Sequence, residues 1–287
     1  MPSSKLTELV LTHRSGREKQ KTEATDFFLE LGVPASGIVY SEWKSRFKAA
    51  VYTPSSALAS RAAQKARTLA RGWTFEKKIL RKPDWFDKWK KTYRTSPLGR
   101  KFAVVPVWEK EAYAGRRIPV FIDPQAAFGS GTHETTKLMV RLMEEAGIFR
   151  GFFDVGVGTG ILSVAAARLG ASRIEGIDND AGSVRTARFN LKLNGVSGAA
   201  MKRGDIYRLK PESRFELVAA NMISKVLLET QGVLARSVKA GGRLIVSGIH
   251  LKNFPSFLRE FRGPGLKRLR VLRGRSWGAA LYKKTTG

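Results

Sequence analysis

The 287-residue chain contains no cysteine. Disulfides and cysteine-ligated metal sites are therefore excluded, and a reducing, cytoplasmic setting is the simpler expectation. No apolar run reaches the roughly 18 residues that a membrane-spanning helix needs. The opening stretch MPSSKLTELVLTHRSGREKQ has no long apolar segment behind its first lysine, so a signal peptide is not expected. Acidic residues are scarce: 24 Asp and Glu stand against 52 Lys and Arg, for a net charge of +28. The excess is not confined to a tail. Residues 1–120 hold 25 basic and 11 acidic side chains, and residues 121–287 hold 27 and 13. A positive field of that size favours a polyanionic partner, for which RNA or a ribosome is the natural candidate.

What is present is a chain able to fold. Hydrophobic residues make up 43%, enough to bury a core, and 287 residues suit one large domain or two ordinary ones. Neither an internal repeat nor a low-complexity tract interrupts it.

Residues 1–82 read as a small α+β unit. KLTELVLTH is a strand of imperfect alternation, and EATDFFLELGV is a helix ending at Gly32. GIVYSEW and RFKAAVYT are two strands with a turn between them. SSALASRAAQKARTLARG is a helix, with Ser55 or Ser56 as its cap, Leu58, Ala62 and Ala66 on one face, and Gly72 at its end. WTFEKKIL closes the set as a strand. The order β-α-β-β-α-β is that of a ferredoxin-like unit.

Residues 83–120 read as a linking and bridging segment rich in Trp and in Lys and Arg. Trp85 and Trp89 share a face if the segment is helical. They are read first as packing residues, and second as a surface for stacking bases. From 121 onward strands and helices alternate, the pattern of a doubly wound, mostly parallel α/β sheet. Strands are expected at 151–156, 173–178, 199–203, 215–221 and 242–248. Helices are expected at 160–169, 181–193, 224–239 and 251–261, and KRLRVLRGR with WGAALYKK forms a closing antiparallel pair.

The chemistry-bearing residues lie in this second half. In FFDVGVGTGILSVAA a strand ends at Asp154, and Gly156, Gly158 and Gly160 allow the backbone to turn tightly and approach a ligand. The dinucleotide fingerprint fails because Ile161 stands where its third glycine is required, and a phosphate loop fails for want of Gly-Lys-Ser/Thr. Asp-x-Gly-x-Gly-x-Gly remains, a spacing associated with S-adenosylmethionine. Asp178, at the end of the next strand, is placed to accept two ribose hydroxyls. The alternative is a helix cap, which Asp180 can supply as well. Asp205, after the third strand, is read either as an adenine contact or as an ordinary turn residue. Asn221, at the end of the fourth, is read as holding a cofactor or orienting an incoming amine.

With the segment IDPQAAFGSGTHETT, these motifs resemble the PrmA family, the ribosomal protein L11 methyltransferases. DWFDKWKKTYRTSPLGRKFAVVPVWE, DVGVGTGILSVAAARLGA, GIDNDAGSVRTARFNLKLNGV, LVAANMIS, GGRLIVSGI and SWGAALYKK also match, in order, from about 80 to 280. The resemblance implies a seven-stranded Rossmann-like methyltransferase domain over 121–287, S-adenosylmethionine as methyl donor, and a protein amine as acceptor. It implies that Thr136, Gly156, Asp178 and Asn221 bind the donor, and that Phe128, Gly129, Gly131 and Thr132 are loop contacts. It also implies that the N-terminal unit recognises the substrate. Val157 stands where the family often has Cys, and Asn-Met-Ile-Ser where it usually has Asn-Ile-Leu-Ala. His133 is read as a cap or packing residue near a helix start rather than as a base. No second histidine or carboxylate is spaced to form a metal site with it. Three other readings compete: a lysine methyltransferase for another protein, an rRNA methyltransferase, and an inactive RNA-binding scaffold. The RNA enzyme lacks the Asn-Pro-Pro-aromatic set that would stack a flipped base.

Overall fold

A computed structural model describes residues 5–14, 18–33, 38–43, 46–53, 55–81, 93–123, 129, 131–211 and 214–285. Trp85, Trp89 and Phe128 lie outside the described residues. The chain divides into two compact units, Met1–Tyr93 and Arg94–Gly287.

In the first unit, β1 (Lys5–His13), α1 (Glu18–Leu29), β2 (Ile38–Trp43), β3 (Arg46–Thr53), α2 (Ser56–Lys65) and β4 (Trp73–Arg81) follow the expected order. Their sheet runs β2-β3-β1-β4, with every pair antiparallel. Leu9 and Leu11 of β1, Phe28 of α1, Phe47 and Ala49 of β3, and Ala59 and Ala62 of α2 form its core. Ser55 caps α2, its hydroxyl accepting from the Leu58 amide at 3.1 Å. The helix stops earlier than its sequence suggests. At Lys65 it tightens into a single 3₁₀ turn, Ala66–Thr68. The Thr68 hydroxyl donates to the Lys65 carbonyl, a side-chain bond that competes with helix continuation.

The second unit begins with a three-stranded sheet, β5 (Ser96–Leu98), β6 (Phe102–Pro106) and β7 (Ile118–Ile122), which fills the later part of the segment read as a bridge and runs two residues past it. Then α3 (Glu134–Glu145), β8 (Gly151–Val155), α4 (Ile161–Arg168), β9 (Arg173–Asp178), α5 (Ala181–Leu193) and β10 (Ala200–Arg203) follow. After them come β11 (Phe215–Asn221), α6 (Ser224–Ser237), β12 (Val238–His250), α7 (Phe254–Glu260), β13 (Leu266–Arg273) and β14 (Trp277–Lys284). The sheet order is β10-β9-β8-β11-β12-β14-β13, parallel through β12 and antiparallel around β14. The central strands carry unbroken apolar runs because both faces are covered. Phe152 of β8, Val218 and Ala219 of β11, and Leu244 and Ile245 of β12 are fully buried. The order reverses between β8 and β11, which opens a crevice at their carboxyl ends.

Candidate active site

The glycine turn at the end of β8 is held from behind. The amides of Gly156 and Val157 donate to the Ile177 carbonyl at 2.8 and 3.1 Å, and the Gly160 amide donates to the Val157 carbonyl at 2.7 Å. Gly156, Gly158 and Gly160 all have positive φ (77°, 51° and 78°), a region that a residue with Cβ enters only at a cost. Gly160 also caps α4 and lies against α5. A Cβ there would sit 3.0 Å from Ala187 Cα.

Beneath the turn, Asp154 is buried and accepts from the Ser163 hydroxyl at 2.7 Å. Its other oxygen, Oδ1, has no hydrogen-bond partner. Burial, and secondarily the charge of Asp178, push this carboxyl up to about 7. Asp178, at the end of β9, is half-buried. Its Oδ2 accepts from the Gly158 amide at 3.0 Å and its Oδ1 from the Asp180 amide at 2.9 Å. Each oxygen keeps a further lone pair. The α5 cap is Asp180, whose carboxylate accepts from Ser183 N at 2.7 Å, so Asp178 is left for another task. Asp205 is exposed and caps the 3₁₀ turn Ile206–Arg208, with Oδ1 accepting from Tyr207 N at 3.0 Å.

Asn221 ends β11, one residue past the Ala220↔Val155 pairing, which brings it level with Gly156. Its Nδ2 donates to the Thr135 hydroxyl at 3.1 Å. The His133–Thr136 stretch opens α3. His133 caps it, with Nδ1 accepting from the Thr135 amide, as expected of a capping residue. Thr136 is buried, with a hydroxyl that has no partner.

The segment before α3 is tied to the glycine turn. The Thr159 hydroxyl donates to the Gly129 carbonyl at 2.5 Å. A Cβ on Gly131 would strike Ile161 Cδ1 at 2.5 Å, so the two loops pack against each other. Asn190 of α5 fixes both from below. Its Nδ2 donates to the carbonyls of Thr159 (2.9 Å) and Asp123 (3.0 Å), and its Oδ1 accepts from the Asp123 amide at 2.8 Å. One turn later Asn194 makes the same paired contact with Phe121. Neither asparagine was singled out from sequence.

Comparison with known proteins decides the family. The family model for ribosomal protein L11 methyltransferase (PrmA) matches residues 16–285. The chain belongs to the PrmA family.

A relative named ribosomal protein L11 methyltransferase from Geobacter metallireducens is 34% identical over 206 residues, 71% of this chain and 67% of that protein. One of the same name from Pelotomaculum thermopropionicum is 42% identical over 58% of this chain and 54% of its own. The crystal structure of the ribosomal protein L11 methylase from Lactobacillus delbrueckii subsp. bulgaricus superposes with a TM-score of 0.62 at 28% identity. It covers 67% of this chain and all of that one. The chain is thus an S-adenosylmethionine-dependent methyltransferase, with the seven-stranded fold expected of a PrmA member. Its residues fit the donor. The glycine turn leaves space where side chains would stand, Asp178 retains acceptor capacity for hydroxyls, and the Thr136 hydroxyl and Asp154 Oδ1 are buried polar atoms without partners. Among the described residues, no helix is long and apolar enough to cross a membrane.

Proposed function

We propose that this enzyme methylates amines of ribosomal protein L11, at a site formed where β8, β9 and β11 end beside the start of α3. The observation that carries the reading is the convergence on one crevice of the Gly156–Gly160 turn, the Asp178 carboxylate, Thr136 and Asn221. S-adenosylmethionine supplies an activated methyl on a sulfonium when bound. Asp178 accepts the ribose hydroxyls, and its bonds to the Gly158 and Asp180 amides hold the carboxylate in place. Backbone groups of Gly156, Gly158 and Gly160 line the donor, and Asp154 supports them from beneath through Ser163. Thr136, Gly129, Gly131 and Thr132 continue that wall, and Asp205 meets the adenine end.

Asn221 has the chemistry for the acceptor side. An amide oxygen accepts a hydrogen bond from a neutral amine and points its lone pair along the line of attack. Such alignment contributes up to roughly 7–11 kcal/mol to a bimolecular step. Lysine amines are protonated at neutral pH, and a desolvated crevice lowers their pKa toward the neutral, attacking form. No side chain need act as a fixed base, since water can take the proton.

The unit Met1–Tyr93 serves in substrate recognition, and the excess of positive charge favours docking on a particle that contains RNA. Methylation of RNA itself is not favoured, because β11 runs into Met222 and Ile223 rather than a Pro-Pro-aromatic set. The deciding experiment incubates the enzyme with tritiated S-adenosylmethionine and unmodified large ribosomal subunits, then separates protein from RNA. Label in L11 supports the reading. Label in RNA overturns it.

A further inference from the structure

Thr135 and His133 join the start of α3 to the end of β11, and the direction of their hydrogen bonds follows from the His133 tautomer. The Thr135 backbone N–H donates to His133 Nδ1 at 3.3 Å. A nitrogen that accepts from an amide carries no proton, so the imidazole is neutral and protonated at Nε2. The Thr135 hydroxyl lies 2.7 Å from the same Nδ1 and is therefore the donor there. Its oxygen is left to accept, and it does so from Asn221 at 3.1 Å. Only the NH₂ end of an amide can donate. The asparagine is thus locked with Nδ2 toward α3 and its carbonyl oxygen left for a ligand.

The surroundings hold this arrangement. Burial pushes the His133 imidazole below its ordinary value, against the weaker opposing effect of Glu134, which favours its neutral form. The Trp277 ring packs edge-on against His133, 5.3 Å between centroids. Trp277 is itself held by Glu134, whose carboxylate accepts from the amides of Ser276 (2.9 Å), Trp277 (3.1 Å) and Arg275.

We propose that Thr135 and His133 are positioning residues that set the orientation of the Asn221 amide, keeping its oxygen turned to the amine that accepts the methyl group. This rests on the reading of Asn221 as the partner of that amine. With the orientation lost, the NH₂ end faces the amine for part of the time, and two donors then meet.

The test uses the full chain, S-adenosylmethionine and ribosomal protein L11, with kcat, KM and calorimetric donor affinity measured for Thr135→Val, Thr135→Ser, Asn221→Ala and the Thr135→Val/Asn221→Ala pair. Thr135→Val is expected to lower kcat about tenfold, equivalent to ~1.4 kcal/mol, while leaving the Kd for the donor within about twofold. Thr135→Ser, which restores the hydroxyl, is expected to recover most of the rate. In the Asn221→Ala background, Thr135→Val should then have no further effect, since the group it orients is gone. Should Thr135→Val fail to fold, Thr135→Ala gives the same comparison in a side chain suited to helices. Unchanged kcat in Thr135→Val beside a large loss in Asn221→Ala overturns the positioning role and leaves the Asn221 reading intact. Unchanged kcat in Asn221→Ala overturns both.

Discussion

The Thr159 hydroxyl donates to the carbonyl of Gly129 across 2.5 Å, which ties the segment before α3 to the glycine turn after β8. Two glycine-bearing loops about twenty residues apart in sequence thereby form one wall. Thr159 is fully buried and Gly129 half-buried, so the bond is partly shielded from water. Thr159→Val keeps the shape and removes the donor. A hydrogen bond of this kind contributes about 0.5–1.5 kcal/mol, and an acceptor left unsatisfied costs up to about 1–3 kcal/mol when water is kept out. Donor affinity measured by calorimetry is expected to fall roughly tenfold, with a smaller change in Tm. Undiminished affinity would mean that the tie has no part in building the site.

Asp178 carries a second expectation. Its two oxygens are pinned by backbone amides of Gly158 and Asp180, so the carboxylate is already arranged before any ligand arrives. Hydrogen bonds to a charged acceptor contribute about 1.5–3 kcal/mol each, and two ribose hydroxyls are proposed to use it. Asp178→Ala should weaken donor binding by roughly a hundredfold or more, while Asp180→Ala should chiefly lower stability by about 1 kcal/mol through the lost α5 cap. Equal effects of the two substitutions on affinity would show that the ribose assignment is wrong.

The parts legible in the sequence were those with a local code. The period of the strands and helices gave the doubly wound sheet, the spacing of glycines gave the turn after β8, and Asp178 and Asn221 stood at strand ends. The bonds that hold those parts together were not legible. Asn190 on α5 and Asn194 at its C-cap stand at a spacing that looks like ordinary surface patterning. Their partners at Asp123 and Phe121 are 67 and 73 residues away, and no local rule connects them. The sheet of β5 to β7 was hidden for another reason. Its first strand is three residues long and contains a proline, too short for any alternation to register. Thr135 looked like one of three threonines in a row of polar residues until the end of β11 was brought beside it.

Gly160 and Gly170 allow a backbone requirement to be separated from a packing requirement. Both have positive φ, 78° and 100°. A Cβ at Gly170 meets nothing within 4 Å, whereas at Gly160 it would press on Ala187 at 3.0 Å. Gly170→Ala should therefore cost only the backbone strain, about 1 kcal/mol. Gly160→Ala adds separation of α4 from α5 and should cost about 2–4 kcal/mol. Urea denaturation of the two variants tests this, and equal midpoints would show that the helix contact at Gly160 yields without penalty.

Asp154 should make stability depend on pH in a direction opposite to that of most carboxylates. Its folded value of about 7 lies above the ordinary 3.8, so between these limits the folded chain binds a proton that the unfolded chain does not. Stability from this group is then full at acid pH, is lost as pH rises from about 4 to 7, and is flat beyond. The full effect is on the order of a few kcal/mol. Ser163 donates to the carboxyl whichever state it is in, and Asp178 raises the value further once charged. Asp154→Asn abolishes the titration. The wild-type enzyme should lose more stability than Asp154→Asn between pH 5 and pH 8, as measured by urea melts without donor. A parallel dependence in the two proteins would show that this carboxyl titrates in its ordinary range and that the interior beneath the glycine turn admits water.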